Sequence, residues 1–224
     1  RYALQVLTEN IQLAGFVGAS TSTAFSNLAP VGCPGSVVDL GYAAVTNPGT
    51  SNVPYPIYRR DTAPDCIDHV VPGTAMLLLT RVSTAAVTVA AVDKSESYLQ
   101  VSTCATDTLP FAAASGASTA SFAHMQKDCT SGKLAPLRKI VQQLYYVSSC
   151  NECGVDTTPT LKVAELQKGA IELSSVVEGI ENFQVDFGID MDNNGSPDCY
   201  TSNPGNPPPA EVTAANCPQT TPAY

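Results

Sequence analysis

The sequence predicts an α+β domain in which one N-terminal amphipathic helix packs on an antiparallel β-sheet, with long loops stapled by disulfides. Three observations lead there. The first fourteen residues carry a helical apolar period, the middle of the chain is a series of strand-length apolar or alternating segments, and eight cysteines are spread through turn-rich sequence.

The helix is read over Arg1 to Ala14. Leu4, Leu7, Ile11 and Ala14 recur at steps of three and four on one face, and Gln5, Thr8, Glu9 and Gln12 take the other. Gly15 follows where a helix ends in left-handed backbone. Residues 16–68 are rich in turn formers, among them Pro34-Gly35, Asn47-Pro48-Gly49, Pro54 and Pro56. A loop-rich stretch this long needs a staple in a compact domain, and Cys33 and Cys66 are placed to supply it. Tyr42, Tyr55 and Tyr58 in this region fit either a partner-binding surface or a cover over the core.

Residues 69–190 read as the sheet region. Ala75 to Val82 is an apolar strand entered through Pro72-Gly73, and Val87 to Val92 and Tyr98 to Val101 are further strands. Ala112 to Ser121 is a low-complexity Ala/Ser/Gly/Thr loop, whereas Leu137 to Val147 and Leu161 to Leu166 have strand character. Ile171 to Ile180 reads as a short helical turn. Glu181 to Ile189, with Phe183, Val185, Phe187 and Ile189 at alternate positions, reads as a half-buried strand. Residues 190–224 form an acidic and Pro-rich loop, and no second domain or internal repeat is visible, so 1–224 is expected to be one domain with 1–15 as its helix.

Charge and cysteine usage exclude several function classes. The net charge of −9 repels phosphate backbones, and Arg59-Arg60 and Arg138-Lys139 are too isolated to reverse that locally, so nucleic acid is not an expected partner. Cys33, Cys66, Cys104, Cys129, Cys150, Cys153, Cys199 and Cys217 are an even set with only His69 and His124 to complement them, which favours disulfides in an oxidising compartment over zinc sites. Eight cysteines allow 105 pairings, among which the sequence does not choose; proximity favours Cys33–Cys66, Cys104–Cys129, Cys150–Cys153 and Cys199–Cys217. The Cys150-x-x-Cys153 motif has a redox reading too, but no helix start follows it to lower a thiol pKa. No apolar run is long enough to cross a bilayer.

The sharpest local motif is Asp190-Met191-Asp192-Asn193-Asn194-Gly195-Ser196-Pro197-Asp198. It matches the opening of a calcium loop, with side-chain oxygens at the first, third and fifth positions, glycine at the sixth and a carboxylate at the ninth. The Ser196 backbone carbonyl would serve at the seventh. Calcium takes six to eight oxygens at roughly 2.3–2.6 Å, and alternate residues of a tight loop can present them. Thr201 stands at the twelfth position, where a bidentate Glu is expected; without a cation the same residues make an acidic Asn-Gly turn between strands. No catalytic arrangement is marked, since His69 and His124 have no G-x-S-x-G or H-E-x-x-H motif beside them.

Two segments together resemble the PilW family of type IV pilus assembly proteins. Arg1 to Phe16 is similar to the exposed half of a pilin's N-terminal helix, and Val177 to Asp190 is similar to the family's strand leading into an acidic loop. Tyr145-Tyr146-Val147, a Cys-bearing turn and the Leu161 to Leu166 strand match the layout between them. The resemblance implies a type IV pilin-like fold and a membrane-spanning half-helix ahead of Arg1. It also implies a closing apolar strand, which the sequence after Cys217 does not resemble, so both termini are expected to be incomplete. The implied function is that of a minor pilin, a non-catalytic subunit that helps initiate a type IV pilus and sits at or near its tip. Its expected partners are other minor pilins, the major pilin and a tip adhesin; it would be exported, held at the inner membrane and periplasm before assembly, and extracellular in the pilus. A J-type minor pseudopilin of type II secretion, a calcium-stabilised extracellular adhesin or binding module, and a secreted hydrolase are the alternatives.

Overall fold

A long strand, β7 (Leu137–Ser148), is the spine of the molecule. The structure is a computed structural model that describes residues 1–19, 25–45 and 50–202. One helix, α1 (Tyr2–Leu13), precedes the strands β1 (Phe25–Leu28), β2 (Ser51–Pro54), β3 (Ile57–Arg60), β4 (Met76–Val82), β5 (Ser97–Val101) and β6 (Phe111–Ser115). After β7 come β8 (Thr160–Gln167), β9 (Ala170–Glu178), β10 (Phe187–Ile189) and β11 (Cys199–Thr201). A seven-stranded antiparallel sheet runs β3-β4-β7-β5-β6, with β8 paired to β7 and β9 paired to β8. β1 and β2 form a parallel pair and β10 and β11 an antiparallel one, each apart from the main sheet.

Register explains why β7 is so long. β4 pairs with it from Ile140 to Tyr145, β5 takes Leu137 to Lys139, and β8 takes Gln143 to Ser148. A strand flanked by partners and covered on both faces needs apolar side chains in both directions. Leu144 and Tyr146 pack with Met76, Leu78, Ala164 and Ile67 on one face. Tyr145 packs with Leu77, Leu79, Leu161 and Leu7 on the other. That two-sided burial accounts for the unbroken Met76-Leu77-Leu78-Leu79 run in β4.

The expected pilin-like α+β arrangement, a helix laid along an antiparallel sheet, is overturned. The described residues are mostly β-structure in three sheets, and α1 is 12 residues long and buries one side chain, Leu7. The physical reason lies in what covers the sheet. Val176, Ile180, Phe183 and Val185 share that face with the helix, so a long helix is not required there. The helix is also turned from its predicted face: Ala3, Val6, Leu7 and Ala14 meet the sheet, while Leu4 is 69% exposed and Ile11 37%. Among the described residues no helix is long and apolar enough to cross a membrane.

Local expectations shift for equally specific reasons. The predicted loop at Ala112 to Ser121 contains β6, because β5 offers it a ladder from Val101↔Phe111 to Ser97↔Ser115. The predicted helical turn at Ile171 to Ile180 is β9, zipped to β8 across the tight Lys168-Gly169 turn, where both residues have positive φ. Val87 to Val92 is no strand: Val87 makes a single bridge to Leu137, and Val89–Ala91 is a 3-10 turn. Of the predicted strand at Glu181 to Ile189 only Phe187–Ile189 is paired; Phe183 instead accepts a hydrogen bond from the Ala75 N–H at 2.8 Å through its carbonyl. The described residues of 16–68 hold three short strands, and Tyr42, 6% exposed, packs edge-on against Phe111 within the core.

Among the described residues three disulfides are formed, Cys33–Cys66, Cys104–Cys129 and Cys150–Cys153. Cys199 is buried, and its predicted partner Cys217 lies outside the described residues. Loop-closure entropy makes the first two worth about 3.5–4 kcal/mol each, and the three-residue separation of the last only about 2 kcal/mol.

Truncating the spine should therefore be costly and truncating the outer helix face should not. Leu144→Ala and Leu7→Ala are expected to lower stability by about 2–5 kcal/mol in urea unfolding, against about 0.5 kcal/mol or less for Leu4→Ala. Equal losses for Leu4→Ala and Leu7→Ala would show that the helix docks by the face containing Leu4.

Candidate functional site

The β10–β11 ladder, from Phe187↔Thr201 to Ile189↔Cys199, brings the two ends of residues 190–198 together. The Asp198 N–H donates to the Ile189 carbonyl at 2.8 Å and closes the loop at its base. Inside, Asp190 accepts from the Asn194 N–H at 3.2 Å and the Gly195 N–H at 2.8 Å. Asp192 accepts from the Asn194 N–H at 3.1 Å and from Asn194 Nδ2 at 3.0 Å. Asn194 Oδ1 accepts from the Ser196 N–H at 2.8 Å, and Asp198 Oδ2 accepts from the Met191 N–H at 2.7 Å. Asn193 and Gly195 have φ of 60° and 88°, the left-handed backbone that curls the loop around its carboxylates.

One oxygen from each of Asp190, Asp192 and Asp198 lies within 4.8 Å of the others. Three converging carboxylates are an oxygen ligand set suited to a hard divalent cation. The Asn194 side chain is turned onto Asp192 and the Ser196 amide rather than toward that centre. Thr201, the twelfth position, stands in β11 opposite Phe187. Each carboxylate already accepts backbone N–H bonds, so the loop holds its shape by its own amides. The Gly195 N–H is the foremost cause holding the Asp190 carboxyl below the usual range; partial burial opposes it, and the Asn194 and Asn193 amides reinforce it.

Two other polar clusters bear on chemistry. Asp107 Oδ2 accepts from the Ser102 hydroxyl at 2.7 Å and the Met125 N–H at 3.0 Å, and lies 3.2 Å from His124 Nδ1. Burial pushes the Asp107 carboxyl up, but the bonds from Ser102, Met125 and His124 outweigh it and hold the group below its ordinary value. The serine hydroxyl donates to the aspartate, which makes this a tie between segments rather than a nucleophile presented to a base. In the β7–β8 turn, Asp156 accepts from the N–H groups of Asn151, Glu152 and Thr158 at 2.8, 2.7 and 2.9 Å, and that depresses its pKa, the Glu152 amide foremost. Sequence reasoning missed Asp107 and Asp156, because their partners are backbone amides and a distant histidine that no local motif marks.

Residues 144–211 match the family model of PilW, Type IV Pilus-assembly protein W. The PilW match starts within β7, takes in the Cys150–Cys153 turn, β8, β9 and the acidic segment 190–198, and covers under a third of the chain. It is consistent with a PilW-type assignment and includes the Tyr145 to Val147 and Val177 to Asp190 segments; Arg1 to Phe16 lies outside it. The match supports a role related to type IV pilus assembly and a cell-envelope or extracellular location, with which the disulfides agree. The comparisons with curated proteins and with solved structures return no match.

The amide cage around Asp190 has a pH consequence. Its folded pKa is depressed, so its contribution to loop stability is complete above its unfolded value of about 3.9 and is lost as pH falls through the lower folded value. Carbon-detected NMR titration should place Asp190 below the ordinary carboxylate range, with the Gly195 amide shift moving at the same midpoint. A midpoint at the ordinary value would contradict the cage.

Proposed function

We propose that this protein is a minor pilin, a non-catalytic structural subunit that helps initiate assembly of a type IV pilus and sits at or near its tip. The PilW match over residues 144–211 carries the reading. The end of β7 from Leu144, β8, β9 and the β10–β11 loop fall within it, so the likeness covers packed strands together with the acidic loop. Its partners are other minor pilins, the major pilin and a tip adhesin, and its route is export through the inner membrane to the pilus. The His124–Asp107–Ser102 contacts support the non-catalytic reading, since Ser102 donates to the carboxylate and not to the imidazole.

In this reading the 190–198 loop takes one calcium ion. Asp190, Asp192 and Asp198 supply carboxylate oxygens, and Asn194 and the Ser196 carbonyl complete the set once Asn194 turns from its present bonds. The converging carboxylates support this, as does an acidic chain with no Lys or Arg between Asp190 and Asp198 to neutralise them.

Two experiments separate these claims. Deleting the gene should leave few or no surface pili by electron microscopy, restored by the intact chain. Normal piliation would overturn the pilin reading, and a loss of secreted enzymes with pili intact would transfer it to a type II pseudopilin. Calcium should raise the melting temperature of the purified protein, and Asp190→Ala with Asp192→Ala should abolish that rise. An unmutated protein indifferent to calcium would overturn the calcium claim alone.

A further inference from the structure

The Cys150–Cys153 turn sits where three other features converge. The chain from His69 to Val71 runs beside the end of β7: the Ser149 N–H donates to the His69 carbonyl at 2.7 Å, the Val71 N–H donates to the Val147 carbonyl at 2.9 Å, and Val70 bridges Ser148. These bonds hold His69 in left-handed backbone, φ 59°, a conformation that costs free energy in a non-glycine residue and persists only where the surroundings impose it. The result is that a ring nitrogen of His69 and the sulfurs of Cys150 and Cys153 all lie within 4.8 Å of one another. The Ser148 hydroxyl reaches both sulfurs, at 3.6 and 3.7 Å.

The third feature is Lys162 on β8, 9% exposed, whose ammonium lies 3.8 Å from Cys153 Sγ. A disulfide sulfur is a poor acceptor for a cation, whereas a sulfur anion is a good one. A positive charge at this place favours the opened, anionic form of the pair over the closed one.

We propose that His69, Cys150 and Cys153 form a site for a thiophilic divalent metal, zinc foremost, which the disulfide masks and a dithiol reductant uncovers. In the opening step the two thiols of the dithiol pass two electrons to the S–S bond and become its own disulfide, and their two protons leave Cys150 and Cys153 as thiols. The metal then displaces both of those protons and is held by two thiolates and one neutral imidazole nitrogen. Such a set leaves one coordination position for water or an outside ligand. The asparagine and glutamate between the cysteines span the spacing common to zinc-binding cysteine pairs. Asp156, through the Asn151 and Glu152 amides, holds that turn in place whether or not the sulfurs are joined. The site is independent of the pilin reading and of the calcium loop.

The test is graded dithiothreitol on the purified protein, alkylation mapping of the cysteines opened, and cobalt as a spectroscopic probe for zinc. Cys150 and Cys153 should open before Cys33–Cys66 and Cys104–Cys129, with the circular dichroism unchanged. The opened protein should then develop thiolate-to-cobalt charge-transfer bands that saturate at one cobalt per chain, and the oxidised protein should show no such bands. Cys153→Ser should abolish those bands. His69→Ala should leave the opening unaltered and weaken cobalt by at least about tenfold, since losing even an outer partner of a metal ligand costs that much. Lys162→Met should raise the dithiothreitol needed to open the pair. Earlier opening of another disulfide, no retained cobalt after desalting, or unchanged affinity in His69→Ala would each overturn the proposal.

Discussion

The two-sided burial of β7 is the constraint on which the rest of the structure depends. Leu144 and Tyr146 commit one face of the strand to the core, Tyr145 commits the opposite face, and β4, β5 and β8 take up its backbone groups. A strand placed this way cannot slip by one residue without driving its apolar set against the wrong neighbours. The register of β4 and β8 follows from it, and through β8 that of β9. The coverings are fitted around the same strand: Ile67 and Tyr58 on one face, and α1 with the Ile180 to Val185 segment on the other.

The elements closest to that spine were the legible ones. β4, β7 and β8 announce themselves because a strand buried on one or both faces must be written in Leu, Ile, Val and Tyr, and those side chains are visible without coordinates. Legibility fades where pairing rather than burial makes the strand. β6 is written in alanine and serine, which say little, and it is a strand because β5 lies beside it. In β9 the apolar residues Ile171, Leu173, Val176 and Val177 satisfy a helical spacing about as well as a strand's, and the tight turn at Lys168-Gly169 decides between them. The helix was found, but only part of its docking face, Leu7 and Ala14, was. Alanine and valine at positions 3 and 6 lose to leucine and isoleucine at positions 4 and 11 in any reading by hydrophobicity, yet it is the former that meet the sheet.

The candidate sites divide along similar lines. The acidic loop was legible because its oxygen-bearing residues alternate within a few positions, so local spacing carries the geometry. The gathering of Asp190, Asp192 and Asp198 restates that spacing in space. The surroundings of Cys150 and Cys153 were illegible for the opposite reason, as His69 arrives from a segment some eighty residues earlier and Lys162 from the next strand. Both turns share one device: a carboxylate, Asp156 in one and Asp190 in the other, gathers backbone amides and thereby sets the curvature of the chain without help from apolar packing. Polar turns of this kind stay ordered at the rim of a sheet whose core lies elsewhere.

The position of Leu144 within β7 separates kinship from architecture. The stretch that resembles PilW opens in the middle of the central strand, seven residues past its start, so its first residues rely on β4 for cover that the stretch does not contain. Cut out along those bounds, the piece would carry Leu144, Tyr145 and Tyr146 with one flank of the ladder bare, a sticky edge prone to self-association. A recognisable signature and a self-sufficient folding unit are thus different objects in this molecule. Anyone dividing it for expression would do better to follow the hydrogen-bonded ladder, keeping β3 and β4 with the strands that lean on them.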